Sequence, residues 1–426
     1  MKRILSLSLI VFQFTLSTAQ TLDECQQAAA QNYPLIRQYG LIEQTAQLTV
    51  SNISKGWLPQ ISATAQATLQ SDVTAWPDQM QTMLSGMGVN IAGLKKDQYR
   101  VGVDVNQLIW DGGVLRSQQE IARQQSAVET AQVEASLYQV RQRVNEMYFA
   151  LLLADEQIQL NRDLQALLSS NEQKLATMFQ HGTAAESDYL NVKAERLNAE
   201  QQLTSLQAQR QTVALMLSAL CGINVSQPVK PTPQAAATAG TVNMRPELKA
   251  IDAQLRLTDA QEQGLNTALM PKLSVFAQGF YGYPGLNMFD DMMHHSWSLN
   301  GIIGARLTWN IGALYTRKND RTRLNAQREM FNVQREVFLF NNRLEQLQQN
   351  ENMKRYRQLT AADEEIISLR AAVRKAAESK LQHGIIDVND LLREINSENA
   401  ARQQQAIHEL EMLKEMYNLK YTTGEK

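Results

Sequence analysis

The chain of 426 residues is predicted to be mainly α-helical with a smaller transmembrane β part, written as two tandem copies of one plan. Three observations carry this reading. Two runs free of both glycine and proline, Val114 to His181 and Ala313 to His383, are long enough for helices of about 100 Å at a rise of 1.5 Å per residue. Each run stops at the same His-Gly pair, in "FQHGTAAESDYL" and "LQHGIIDVNDLL", 202 residues apart. Ahead of each run lie segments that alternate apolar and polar residues with a period of two, as a strand with one apolar face does.

Other landmarks recur at nearly the same offset. "LIWDGGVL" (108–115) answers "LTWNIGAL" (307–314), and Pro34 and Pro59 answer Pro246 and Pro271. The apolar positions Leu137, Val140, Val144 and Met147 recur as Val337, Phe340, Leu344 and Leu347. A spacing kept across so many features marks a tandem duplication.

The boundaries follow from these repeats. Residues 1–19, with Lys2, Arg3, an apolar run from Ile4 to Leu16 and then Ser17-Thr18-Ala19, read as a secretory signal. The first repeat takes 20–226: a helix, a strand pair at 60–72 and 97–110, a long helix 113–181 and a return helix 183–221. A Pro/Ala/Thr linker without apolar periodicity fills 227–242. The second repeat takes 243–426: a helix, strands at 272–283 and 297–311, a long helix 312–383 and a return helix 385–423.

Composition narrows the function. Loss of Lys2 and Arg3 leaves 39 basic against 43 acidic residues, a net charge of about −4, and nothing favours nucleic acid. No segment after the leader has the ~20 continuous apolar residues of a spanning helix, so entry into a membrane must use strands. Cys25 and Cys221 are the only cysteines. An exported chain could pair them or bury them separately, and neither sits in a lipoprotein-type signal, so no lipid anchor is expected. No metal-ligand spacing, nucleophile elbow or phosphate loop is present, so neither an enzyme nor a cofactor is expected.

The helices read as coiled coil. Leu137, Val140, Val144, Met147, Leu151, Ala154 and Ile158 alternate by three and four, and Leu203, Leu206, Val213, Leu217 and Leu220 offer a seam on the return helix. A secreted coiled-coil structural or adaptor protein without a pore would account for them. The strands ask for more. In 60–70, Ile61, Ala63, Ala65, Ala67 and Leu69 alternate with Ser62, Thr64, Gln66, Thr68 and Gln70, and 297–311 does the same apart from Ile302. In 97–110 the phase slips near Gln107, where a bulge is expected, and 272–283 is the least regular. Aromatic residues at the strand ends fit a membrane girdle, with Trp57, Trp110 and Trp309 at the inner interface and Trp76, Tyr283 and Trp297 at the outer. Four strands cannot close a barrel, so several copies must combine.

Tandem halves, each a strand pair feeding a very long helix through "LIWDGG" or "LTWNIG", with "HGTAAESDYL" and "HGIIDVNDLL" at the turns, resemble the TolC family of outer-membrane efflux proteins over essentially the whole chain after the leader. The resemblance implies a homotrimer with a twelve-stranded barrel in outer-membrane lipid and a periplasmic tunnel of twelve helices. It implies docking of the helix tips to a periplasmic adaptor and an inner-membrane pump, in efflux or type I secretion, with the tip as gate. Carried onto this sequence, the tip positions are Gly182, Ser187 and Asp188 in the first copy and Gly384, Asp387 and Asp390 in the second. Ile386 and Leu381 stand where the family has an arginine and a tyrosine, a departure from its salt-bridge lock that leaves the acidic ring.

Each of these residues has a plainer role available. Gly182 and Gly384 suit helix ends, Thr183 with Glu186 forms a capping-box pattern, and Asp387 can cap the last helix. In "FDDMMHHSW" (289–297), Met292, Met293, His294 and His295 are of the right types for a soft metal, but a solvated loop is the expectation. The Met-rich segment 80–88 is expected to pack.

Overall fold

The computed structural model describes residues 20–89, 93–233 and 243–425. The expected leader at 1–19 and the linker residues 234–242 lie outside them. The elements in order are α1 (Leu22–Asn32), α2 (Gln38–Ser54), β1 (Gln60–Leu69), α3 (Asp78–Gly86), β2 (Asp97–Trp110), α4 (Val114–Gln180) and α5 (Glu186–Cys221). The second copy follows with α6 (Pro246–Thr267), β3 (Lys272–Tyr283), α7 (Met288–His294), β4 (Ser298–Thr308), α8 (Ala313–Gln382) and α9 (Val388–Thr423). The fold is mainly helical with one small antiparallel sheet. β1 stops at Leu69 and β4 spans 298–308, both shorter than the alternation runs.

The chain divides into two compact units, Met1–Tyr39 with Gln132–Lys249 and Glu336–Lys426, and Gly40–Ala131 with Ala250–Arg335. In the first, one core cluster joins Leu22, Cys25 and Ala29 of α1 to Val140, Val144, Tyr148 and Leu151 of α4, Leu217 of α5 and Leu410, Leu413 and Tyr417 of α9. The Tyr148 hydroxyl is fully buried and lies 2.7 Å from the Gln20 carbonyl and 2.8 Å from that of Val229. The beginning of the linker is therefore pinned: Val229 N–H donates to Gln20 O, and Lys230 pairs with Glu409 at 2.8 Å. Arg245 is buried where the second copy starts, bound to Glu247 and lying over the rings of Tyr421 (4.4 Å) and Tyr138 (5.1 Å).

The second unit holds the four-stranded sheet, order β1-β2-β3-β4. Asp111, buried just after β2, starts α4 by accepting from the Gly113 N–H at 2.8 Å and the Leu115 N–H at 2.6 Å. The register shift on β2 falls between Leu108 and Trp110, next to the expected position at Gln107. α6 is tied to α8 by ion pairs of Arg328 with Asp259 (2.7 Å) and Glu262 (2.9 Å).

Candidate functional site

Two parts of the molecule combine chemistry with exposure: the helix turns and the sheet faces. The turns are built alike. In the first, the Gly182 N–H donates to Phe179 O at 2.9 Å and the Thr183 N–H to Met178 O at 2.8 Å; in the second, Gly384 N–H donates to Leu381 O and Ile385 N–H to Lys380 O. This doubled bonding closes a helix with a left-handed residue, and Gly182 and Gly384 have φ of 71° and 69°. No atom lies within 4 Å of a Cβ at either position, so the glycines serve conformation and not close packing.

The return helices start differently. Asp387 caps α9 by accepting from the Asp390 N–H at 2.9 Å. The expected capping box on the first turn is absent: Ala185 is the N-cap of α5, and the Thr183 hydroxyl instead donates backwards to Met178 O at 3.0 Å. Ser187 is exposed, and Asp188 and Asp390 are half-buried at matching positions. Asp390 is not a free carboxylate, since Arg393 donates to it at 3.0 Å. Leu381 and Ile386 pack against a cluster of Leu168, Leu175, Val192, Val388, Leu391 and Ile395. Apolar contact thus occupies the two positions that depart from the family's polar lock.

One feature of the turns escaped the sequence reading. Behind the first, Arg196 pairs with Glu172 at 2.6 Å and with Glu200; behind the second, Glu398 pairs with Arg374 at 2.5 Å and Arg402 at 2.8 Å. Glu172, Arg196 and Glu200 stand 202 residues before Arg374, Glu398 and Arg402, so the duplicated triad carries reversed charge. The common offset was the available signal. The Arg374 and Glu398 side chains are only 13 % and 7 % exposed. Burial pushes the Glu398 carboxyl up, but Arg374 and Arg402 more than offset it and hold it below the usual range.

In the sheet, up to the shift on β2, the register puts odd-numbered strand residues on one face: Ile61 opposite Val105, Val101 opposite Tyr281, Ala277 opposite Ile303, Leu273 opposite Leu307. Much of this apolar face is bare, with Leu299 and Ile303 each 82 % exposed, while Tyr283 at its end is buried. The even face is polar, and it explains the irregular look of β3. Phe276 and Phe280 lie on the polar side, as platforms for Arg306 (4.9 Å to the ring centre) and Arg100 (3.7 Å).

Aromatics gather at both ends of the sheet. Trp57, Trp110 and Trp309 are exposed at one end, where Trp309 Nε1 donates to Leu269 O at 2.9 Å. At the other, Trp297 lies against Tyr281 and Tyr99. Trp76 and Tyr283 do not join this girdle. Tyr283 is buried with Leu94 and Met292, Trp76 packs against that cluster, and the Tyr283 hydroxyl accepts from the Lys95 N–H at 2.9 Å.

The four metal candidates do not converge. Met292 is buried, Met293 is exposed, His294 bonds Asp290 at 2.9 Å, and His295 Nε2 donates to the Gly93 carbonyl at 2.7 Å. Met80 and Met83 on α3 and Met87 at its C-cap are exposed in the single chain.

The same fold occurs in solved outer-membrane channels. The outer-membrane channel OprN matches with a TM-score of 0.69 at 15% identity, over 95% of this chain and 90% of that one. The outer membrane protein VceC of Vibrio cholerae matches with 0.67 at 14% identity, over 95% and 96%. The open-state MtrE channel of Neisseria gonorrhoeae matches with 0.66 at 15%, over 95% and 89%. Comparison with curated proteins gave no match. The fold is therefore that of the TolC-type outer-membrane channels, as the sequence resemblance implied. The family model described as outer membrane efflux protein matches residues 25–223, within the span of the first repeat.

Proposed function

We propose that the protein is the outer-membrane exit duct of an efflux pump or type I secretion system, a passive route for small molecules to the outside. The observation that carries this is the sheet: strands of 10 to 14 residues, long enough to cross a bilayer, with a bare apolar face opposite a polar one. Each Leu or Ile left in water forgoes about 1.5–3 kcal/mol of burial, a cost that lipid contact removes. An adaptor without a pore has no use for such a face. The family match and the channels of like fold support the same reading.

The open edges at β1 and β4 leave backbone groups that lipid cannot satisfy, so the reading requires further copies; three give twelve strands. A second surface fits a homotrimer, because Val337, Phe340, Leu344 and Leu347 of α8 are exposed along a helical seam. In this arrangement Trp57, Trp110, Trp297 and Trp309 flank the lipid band. The helices stand in the periplasm, and the turns at Gly182 and Gly384 meet a periplasmic adaptor and an inner-membrane pump, which supplies the energy. Ser187, Asp188, Asp387 and Asp390 then line or border the constriction, and the apolar packing of Leu381 and Ile386 replaces a polar lock in holding it.

The test is the mass of detergent-extracted protein from outer membranes together with planar-bilayer recording. A mass of three chains and discrete single-channel currents are expected. A monomer soluble without detergent, silent in bilayers, would overturn the proposal.

A further inference from the structure

Cys25 and Cys221 belong to no part of the duct chemistry, yet the fold brings them together. Cys25 lies in α1 and Cys221 is the last residue of α5, 196 positions apart, and they are 0% and 2% exposed. The Cys221 Sγ–H donates to the Cys25 carbonyl at 3.4 Å. Interaction with the neighbouring thiol draws the Cys221 titration down and, with burial, pushes that of Cys25 up.

The surroundings fix this meeting point. Two turns further along α1, Asn32 Nδ2 donates to the Ala219 and Leu220 carbonyls at 3.1 and 3.2 Å, covering the open end of α5. Gly222 closes α5 in a left-handed conformation at φ 71°, and a Cβ there would lie 2.6 Å from the Asn32 side chain. Leu22, Ala29, Val144, Tyr148, Leu217 and Val225 enclose the pair in the same core cluster. α1 is a short helix near the beginning of the described chain, held besides by the Gln26 amide donating to Asn145 Oδ1 of α4 at 2.6 Å.

We propose that Cys25 and Cys221 are a disulfide site that staples α1 to the end of α5 once the chain meets an oxidising compartment. The oxidant is a disulfide of the thiol–disulfide exchange class. A thiolate of the pair attacks one of its sulfurs and releases the other as a thiol. The partner cysteine, as thiolate, then attacks the mixed disulfide, forming the Sγ–Sγ bond and releasing the second thiol. Two electrons pass to the oxidant, whose S–S bond breaks, and the two cysteine protons end on the released thiols. Burial of the finished bond then shields it from reduction. The step requires exposure to an oxidant and so rests on export, which the experiment separates from the pairing itself.

Purified trimer in detergent is incubated with oxidised glutathione, quenched in acid, denatured, treated with N-ethylmaleimide and weighed intact. The expected result is a chain lighter by two hydrogens with no maleimide adduct, and a digest containing one peptide pair joined through Cys25 and Cys221. Two maleimide adducts, or glutathione on each cysteine without a link, would overturn the proposal. Cys25→Ser supplies the control, leaving Cys221 to take one adduct; if that variant fails to fold, the wild-type digest alone decides. Protein taken directly from cells and alkylated at harvest should already be linked. A pair that links with glutathione but is reduced in the cell would uphold the site and count against export.

Discussion

The same four positions behave in opposite ways in the two copies. Leu137, Val140 and Val144 of α4 are buried and Met147 is half-buried, while Val337, Phe340, Leu344 and Leu347 of α8 are 53%, 63%, 50% and 55% exposed. The residues are equally apolar and equally spaced, so the difference lies in their neighbours. The α4 seam is covered by α1, α5 and α9 within its own chain. The α8 seam has no such cover among the described residues. A helical apolar stripe states that a face needs company; it does not state which chain provides it.

The largest effect expected is on assembly. Phe340→Asp with Leu344→Asp should abolish the heat-resistant trimer on semi-denaturing gels while leaving the helical circular dichroism of the protomer intact, since exposed substitutions shift stability by about 0.5 kcal/mol or less. A trimer that survives would break the comparison, because the α8 seam would then be plain surface. Next comes the covered seam. Leu151→Ala, at a fully buried position, should cost about 2–5 kcal/mol in denaturant unfolding.

A smaller effect belongs to the ion triads. Arg374→Ala leaves Glu398 buried beside Arg402 alone and should cost about 1–3 kcal/mol, whereas exchanging the two charges, Arg374→Glu with Glu398→Arg, should recover part of the loss. Because Glu398 titrates below its unfolded value, its contribution is complete above that value and is lost as pH falls through the folded one. Thermal unfolding of the wild type should therefore fall further on acidification below about pH 4.5 than that of the Arg374→Gln, Glu398→Gln variant. The smallest effect is at Asp390. Asp390→Ala should lower cation preference in single-channel records only modestly, because Arg393 already pairs with that carboxylate; an unchanged reversal potential would remove Asp390 from the constriction.

The element plan was legible because long helices without glycine or proline and strict two-residue alternation are local signals. The matching glycine turns were legible for the same reason, left-handed backbone being a local demand. What stayed hidden depends on distant partners. Tyr283 looked like a girdle aromatic until the loop around Leu94 and Met292 closed over it. Thr183 and Glu186 had the spacing of a capping box, but the chain takes two more residues to turn, and Thr183 bonds backwards. Phe276 and Phe280 broke the alternation of β3 because they serve arginines on neighbouring strands.

The reversed triads bear on how a duplicated sequence avoids misassembly. Two similar helical hairpins in one polypeptide invite exchange, the outgoing arm of one copy folding onto the return arm of the other. Here that mistake would set Glu172 against Glu398 and Arg374 against Arg196, like charges removed from water on both sides. The inversion acts as a key that lets each arm recognise its own mate, and it lets the two copies keep nearly the same outline without being confused during folding.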